Sequence, residues 1–218
     1  MAYTSKRAQE KEIQAVTKCL NSLSRAITAY SNSVNKLDTL IQKSKRRITD
    51  GKGCNSDDVI VRTLKAANRN KDKVRGEITK LKGISPENQS IDEYTRQYDE
   101  CTEHLDEVQK ALAAYQEDVV QYLTNLSDKI SHRIDNPTLF GGGYSKMVGD
   151  FKNSIAHLTS LGTSDSVLAP FQEKVPVWDK VYKRQRIFIL IARWILIIFG
   201  GIILFAICFP VDFIEMIN

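Results

Sequence analysis

One stretch of the sequence limits what the chain can fold into more than any other, the apolar run from Ile187 to Phe209. Its 23 residues contain a single charge, that of Arg193, and two adjacent glycines, Gly200 and Gly201. An α-helix rises about 1.5 Å per residue, so the run is about 35 Å long, enough to cross a hydrocarbon core of about 30 Å. A buried helix of a soluble protein normally carries a polar stripe, which is missing here from Trp194 onward. The run therefore predicts one transmembrane helix.

The residues on either side of this run predict its orientation. Four cations precede it, namely Lys180, Lys183, Arg184 and Arg186. The short tail 210–218 has no Lys or Arg and contains Asp212 and Glu215. Because Lys and Arg are retained on the cytoplasmic side, we expect the large N-terminal part to be cytoplasmic. No apolar segment follows the first methionine, so we expect no secretory signal peptide and a tail-anchored mode of insertion.

Several side chains near the run are candidates for contact with the membrane. Trp178, Tyr182 and Trp194 have the spacing of an interfacial aromatic belt, and the cations Lys183, Arg184 and Arg186 suit anionic headgroups. Arg193 lies close enough to the end of the run to extend its charge back to the headgroups. Alternatively, it faces a neighbouring helix or a wet lumen. Gly200 and Gly201 are a weak sign of close helix packing, because they lack the small-xxx-small spacing.

Heptad patterns fill the N-terminal two thirds of the chain. Residues 5–49 carry apolar side chains in steps of three and four, which predicts a first helix that Gly51 and Gly53 end. Residues 90–135 do the same, and Ser90 with Glu93 has the S-x-x-E pattern of a capping box. A shorter helix is predicted over 56–82. The two long helices would each measure nearly 70 Å and the short one about 40 Å.

This pattern predicts an all-α fold: an elongated antiparallel three-helix coiled-coil bundle, a short amphipathic helix and one C-terminal transmembrane helix. Because the second helix is too short to cover its neighbours, apolar positions of the long helices are left for the later short helix or for a partner chain. The candidate interaction seam consists of Ile13, Leu20, Leu23, Ile27, Val34, Leu37, Tyr94, Tyr98, Leu105, Leu112, Tyr115 and Tyr122.

Glycine and proline divide the chain into four predicted parts. Residues 1–136 form the cytoplasmic helical bundle. Residues 137–176 comprise a glycine-rich hinge, a short amphipathic helix over 144–161 and a linker with one turn of helix. Residues 177–209 form the juxtamembrane and transmembrane helix, and residues 210–218 the tail.

Charge is distributed unevenly along the bundle. Residues 41–83 contain thirteen Lys and Arg and five Asp and Glu, a balance of +8, whereas residues 84–135 contain four and twelve, a balance of −8. We expect the two segments to pair with each other, with anionic lipid headgroups as the alternative partner of the basic one. No nucleic acid is expected, because the basic segment has no interleaved aromatic residues on which bases could stack.

Motifs of catalysis and cofactor binding are missing from the sequence. It contains no P-loop, no dinucleotide-binding glycine motif, no zinc-protease motif and no nucleophile elbow. Glu100, Cys101, His104 and Glu107 share one helix, but the other helices of the bundle supply no histidine to complete a metal site. We therefore expect neither an enzyme nor a cofactor. The four cysteines lack metal-site spacing, which favours free thiols in a reducing compartment.

Together these features predict a tail-anchored membrane scaffold, tether or assembly subunit. It would act through coiled-coil contacts with a partner protein or with a second copy. The alternative is an oligomerising, membrane-disrupting or pore-forming effector, in which Arg193 and the two glycines line a lesion. Replacing Arg193 separates the two readings, because only the second needs its charge inside the membrane.

Overall fold

The computed structural model describes residues 2–54, 58–137 and 143–208, and these form an all-helical protein without strands in the described ranges. Its helices are α1 (Ala2–Thr49), α2 (Val59–Ile84), α3 (Ser90–Asp135), α4 (Tyr144–Ser160), α5 (Asp165–Gln172) and α6 (Lys174–Cys208). The predicted all-α class and the single C-terminal apolar helix are confirmed. Of the predicted glycine hinge, only Gly143 lies within the described residues.

The first predicted helix stop is confirmed at Gly51. This residue has a φ of +68°, a left-handed conformation that glycine adopts without steric cost. The N–H of Gly51 donates to the carbonyl of Ile48, and the N–H of Lys52 donates to the carbonyl of Arg47. This pair of bonds is the Schellman motif, which satisfies carbonyls at the end of α1. Gly162 ends α4 in the same way, with Thr159 and Leu158 as acceptors.

The first three helices pack on one another. α2 runs opposite to α1, because Cys19 contacts Glu77 whereas the later Ala29 accepts a bond from Asn70. α3 runs in the same direction as α1. Its Thr102 contacts Tyr30, and its Asp118 pairs with Lys45. We call α1, α2 and the N-terminal half of α3 the distal group.

The start of α3 differs from the prediction in its chemistry. Ser90 is the first residue of the helix, and neither Ser90 nor Glu93 forms the predicted capping box. Instead, the side-chain oxygen of Asn88 accepts a hydrogen bond of 3.0 Å from the backbone N–H of Ser90. Glu93 accepts hydrogen bonds from Arg96 and Gln97 further along the helix. Asn88 reaches the free N–H first because asparagine readily bonds to the backbone two residues later.

A second group of helices assembles on the C-terminal half of α3. α4 runs opposite to α3, since Tyr115 contacts His157 and Gly53 lies between Tyr122 and Asp150. The first turns of α6 run in the same direction as α3, because Lys174 bonds to Ser127 and the later Gln185 bonds to Ile134. α5 joins α4 to α6 and buries Leu168 completely. We call the C-terminal half of α3 together with α4, α5 and the start of α6 the proximal group.

The predicted linker over 163–176 is largely helical, and this corrects the sequence reading. α5 occupies 165–172, and α6 begins at Lys174, before Pro176. Pro176 is the third residue of α6, where the backbone N–H would have no partner within the helix in any case. A proline in the first turn is therefore compatible with the helix, and α6 starts three residues earlier than the predicted Val177.

Candidate membrane interface

The apolar part of α6 projects from the rest of the chain. Phe188 is 73% exposed, and most of the large apolar side chains from Ile187 to Ile207 are at least 45% exposed. The helical segment 165–205 is long and apolar enough to span a membrane, and none of its most apolar window is buried in the protein. Large exposed apolar surfaces of this kind mark contact with a membrane or another protein.

The first turns of α6 are held by aromatic contacts to α4. Trp178 is buried, with its ring 5.0 Å from that of Phe151. The rings of Tyr182 and Tyr144 stack at 3.7 Å. Burial raises the pKa of Tyr144 to about 12, assisted by the nearby negative charge of Asp179. Trp178 is therefore a core residue of the proximal group, and not the interfacial side chain that its spacing suggested.

Cations surround the point where α6 leaves the proximal group. Lys183, Arg184 and Arg186 are exposed immediately before the apolar run. The side chain of Gln185 donates to the carbonyl of Ile134, which places the last turn of α3 beside them. The last two turns of α3 add Lys129 and Arg133, which line a groove with Asp128, His132 and Met147. We name Lys129, Arg133, Lys183, Arg184 and Arg186 the basic collar.

Sequence reasoning found only the α6 half of the basic collar. The cations at the end of α3 are visible in the sequence, but their position beside α6 depends on the direction in which α6 packs. The remaining predicted membrane residues lie beyond the collar. Trp194 is 64% exposed, Arg193 is half-buried, and Gly200 and Gly201 each face open space.

Most of the predicted interaction seam lies inside the chain. Buried positions are Leu23, Ile27, Val34, Leu37, Leu105, Leu112 and Tyr115, and half-buried ones are Leu20, Tyr94, Tyr98 and Tyr122. Ile13 is the exception, with 66% of its surface exposed. From Gln9 to Lys18 each α1 side chain is exposed, apart from the half-buried Val16. The free part of the seam thus lies between Gln9 and Lys18 of α1, and we call these residues the distal tip.

Other helices of the same chain cover the C-terminal half of α3. Its C-terminal half packs against α4, which the sequence offered as one way to cover the long helices, and against the first turns of α6, which it did not. Tyr115 is 1% exposed and contacts α4, and Tyr122 lies beside Gly53 in the loop after α1. A partner chain therefore has access to little of α3 through its apolar face.

A buried polar cluster, which the sequence did not suggest, connects the two groups of helices. The hydroxyl of Tyr115 lies 3.0 Å from Nε2 of His157 and 4.0 Å from the sulfur of Cys54. Burial raises the pKa of Tyr115 and of the Cys54 thiol. Burial lowers the pKa of His157, and the carboxylate of Asp58 partly opposes this shift. The residues come from the loop after α1, from α3 and from α4, so no local sequence pattern could have grouped them.

Segments 41–83 and 84–135, which carry opposite net charges, form fewer ion pairs with each other than we expected. Of the ion pairs within the described ranges, only Lys45–Asp118, at 3.2 Å, joins the two segments. Both side chains are over 40% exposed, so the pair contributes little to stability. Most of the opposite charge in these segments remains on the surface.

Candidate metal ligands do not converge in the described residues. Glu100, Cys101, His104 and Glu107 follow one another along α3, and no group of three or more His, Cys, Asp or Glu in the described ranges could hold an ion. Cys19, Cys54 and Cys101 are free thiols.

Comparison of the chain with known protein families, with curated proteins and with solved structures gives no match in any of the three.

Proposed function

We propose that this protein is a tail-anchored membrane tether or scaffold, with the helical part in the cytoplasm and the distal tip as the surface for a partner protein. The observation that carries the proposal is that the apolar span and the free apolar seam lie at opposite ends of the molecule. The other seam residues are buried or half-buried within the chain, whereas the side chain of Ile13 is exposed.

The distance between the two ends follows from the helix contacts. Thr102 is level with Tyr30 on α1, and Ile134 is level with Gln185 on α6. At the α-helical rise, Thr102 and Ile134 are about 48 Å apart along α3, and Ile13 lies about 26 Å beyond Tyr30 along α1. The distal tip therefore stands about 75 Å from the start of the membrane span. At that distance it reaches partners well beyond the headgroups of its own membrane.

The proposed coiled-coil contact uses the pattern that remains free. Ile13, Val16 and Leu20 continue the heptad spacing of α1 into its exposed end. A helix of a partner protein with matching spacing would cover them as α2 and α3 cover the later heptads. The proposed orientation rests on the basic collar, since Lys and Arg beside a span are retained in the cytoplasm.

A distance measurement in membranes tests this proposal. The full-length protein is inserted into phosphatidylcholine vesicles that contain an acceptor-labelled lipid, with a donor fluorophore at position 13 or, for comparison, at position 183. We expect strong energy transfer from position 183 and almost none from position 13. Strong transfer from both positions would mean that the helices lie flat on the bilayer, and the tether proposal would fail.

Photocrosslinking identifies what the distal tip touches. A photoreactive amino acid at position 13 should form adducts with protein in cell membranes, and the same group at exposed Lys36 should form fewer. Adducts of position 13 with lipid alone would contradict a protein-binding tip. Flotation of the protein with the vesicles of the energy-transfer experiment separately reports whether the chain is anchored in a membrane.

A second candidate function is a membrane-disrupting effector, favoured by one feature of the span. Gly200 and Gly201 leave a small-residue surface with no neighbour within 4 Å, on which a second span could pack. If spans line a pore, Arg193→Leu should abolish dye release from vesicles while the protein still floats with them. A tether should release no dye with either residue.

A further inference from the structure

The exposed charges of the distal group form two opposite faces on different helices. One face consists of Arg62, Lys65, Arg69 and Lys73 on α2, all exposed, with a single exposed carboxylate, Asp72, on the same side of the helix. The other consists of Asp99, Glu103, Asp106 and Glu107 on α3, which line a shallow groove with Thr102 and Lys110. We call them the basic face and the acidic face.

Each face lies on the outer side of its helix. On α2 the buried residues are Ile60, Thr63, Ala67, Val74, Ile78 and Leu81, and at 3.6 residues per turn the basic face lies roughly opposite them. The acidic face lies in the same way opposite the buried Leu105 and Val108 of α3. Because the two helices pack in one group, their outer sides point in different directions, and the two faces of one chain cannot meet.

Within the described ranges, none of the eight side chains takes part in an ion pair. The nearest pairs on α3 join Arg96 to Glu93 and Glu100, outside the acidic face. Four cations and four carboxylates are thus available to a neighbouring molecule.

The two faces lie at the same height along the molecule. Asn70 of α2 donates hydrogen bonds to Ala29 and Ser33, and Tyr30, between these two, contacts Thr102 of α3. Asn70 is therefore level with Thr102. The basic face extends from Arg62, eight residues before Asn70, to Lys73, three residues after it. The acidic face extends from Asp99, three residues before Thr102, to Glu107, five residues after it. Since α2 and α3 run in opposite directions, Lys73 is level with Asp99, Lys65 is level with Glu107, and Arg62 lies about 4.5 Å beyond that end of the acidic face.

We propose that two copies of this protein in the same membrane associate side by side, with the acidic face of one against the basic face of the next. This inference rests on the proposed function in one respect, namely that the anchor holds all copies upright at equal height. The contact is heterologous, so it repeats to form rows or closed rings. Exposed ion pairs are individually weak, but several act together here, and confinement to a bilayer raises the effective concentration of the copies.

Charge reversal tests this pairing. Full-length copies with donor or acceptor fluorophores on an N-terminal tag are inserted at low density into phosphatidylcholine vesicles, whose lipids carry no net charge. We expect energy transfer between wild-type copies, and its loss in the basic-face variant K65E/R69E and in the acidic-face variant E103K/D106K. Because salt shortens the screening length to about 3 Å at 1 M, added salt should also abolish it.

Restoration makes the test specific. Mixing the two reversed variants should restore transfer, because each carries the charge that the other lacks, and a single chain with all four changes should again associate with itself. Matched controls change the same number of charges elsewhere, in K36E/K43E and in E117K/D128K, and should behave like the wild type. If a reversed variant loses its helical circular dichroism, the neutral variants K65Q/R69Q and E103Q/D106Q replace it.

The outcomes separate this inference from the proposed function. Wild-type protein that floats with vesicles but shows no energy transfer overturns the lateral pairing and leaves the anchor intact. Transfer that persists in both reversed variants, or that is not restored in the mixture, overturns it equally. Protein that does not float with vesicles contradicts the proposed function itself.

Discussion

The distal and proximal groups share α3 but stabilise it in different ways. The distal group packs long helices mainly through aliphatic layers, such as the completely buried Leu23, Val34 and Leu37, with one aromatic contact between Tyr30 and Tyr98. The proximal group packs shorter helical segments through large rings, such as Phe151 and Trp178. A long helix can bury a small side chain at every heptad step, whereas a helix of a few turns needs side chains that each bury 150–250 Å². Aromatic contacts therefore suit the part of the molecule where α6 must be positioned before it leaves the protein.

The largest expected effect is on the aromatic core of the proximal group. Phe151→Ala removes a completely buried ring that contacts both Phe171 and Trp178, which should destabilise the fold by about 3–5 kcal/mol. The chain has two tryptophans, so in a Trp194→Phe background the emission of Trp178 alone reports on α6. We expect that emission to shift to longer wavelength in detergent micelles. Phe188→Ala, which alters a ring outside the core, is the matched control, and an unshifted Trp178 emission in the Phe151 variant would contradict this packing.

Two isoleucines at heptad positions of α1 provide the next comparison. Ile41 is 1% exposed and Ile13 is 66% exposed. Ile41→Ala should lower the free energy of unfolding by about 2–5 kcal/mol because it leaves a cavity, whereas Ile13→Ala should change it by less than about 0.5 kcal/mol. Denaturant unfolding of the micelle-bound protein, followed by circular dichroism, measures both. Equal losses would show that the distal tip is covered within the chain.

The buried cluster at the junction predicts a dependence on pH. Burial lowers the pKa of His157 in the folded protein, so the unfolded chain takes up a proton at a higher pH than the folded chain does. The stability is therefore complete above the unfolded pKa of about 6.5 and falls as the pH decreases toward the folded value, by at most about 1.4 kcal/mol per pH unit. The negative charge of Asp58 partly opposes this lowering of the His157 pKa.

Unfolding of wild type and His157→Gln at pH 7.5 and 5.5 isolates this contribution, because glutamine keeps a polar group near Tyr115 but does not titrate. The wild type should lose more stability on acidification than the variant does. Equal losses would mean that His157 already binds a proton in the folded protein with its ordinary affinity.

The regular part of the fold could be predicted from the sequence, and the reason is local. The bounds of α3 at Ser90 and Asp135 and the stops at Gly51 and Gly162 follow from periodicity and from glycine conformation, which depend on residues close in the chain. The heptad spacing also predicts which α1 side chains face inward, except at Ile13, where no helix is present to cover the seam.

The proximal group could not be predicted in the same way because its contacts are long-range. Trp178 has the spacing of an interfacial residue, and only the docking of α6 on α4 shows that it is buried. The basic collar and the Tyr115–His157 contact likewise combine residues that lie far apart in the sequence. Tertiary packing determines the roles of these residues, and neither helix propensity nor residue spacing could predict them.

The smallest expected effect distinguishes two local readings of the same turn. The sequence pattern assigns the start of α3 to a capping box of Ser90 and Glu93, whereas the structure assigns it to Asn88, whose side chain accepts the Ser90 N–H. Asn88→Ala should therefore lower the stability by about 0.5–1.5 kcal/mol, because that hydrogen bond is lost. Ser90→Ala should have almost no effect, since its hydroxyl makes no capping bond. Hydrogen exchange of the amides in the first turn of α3 measures both, and faster exchange in the Ser90 variant alone would restore the capping box.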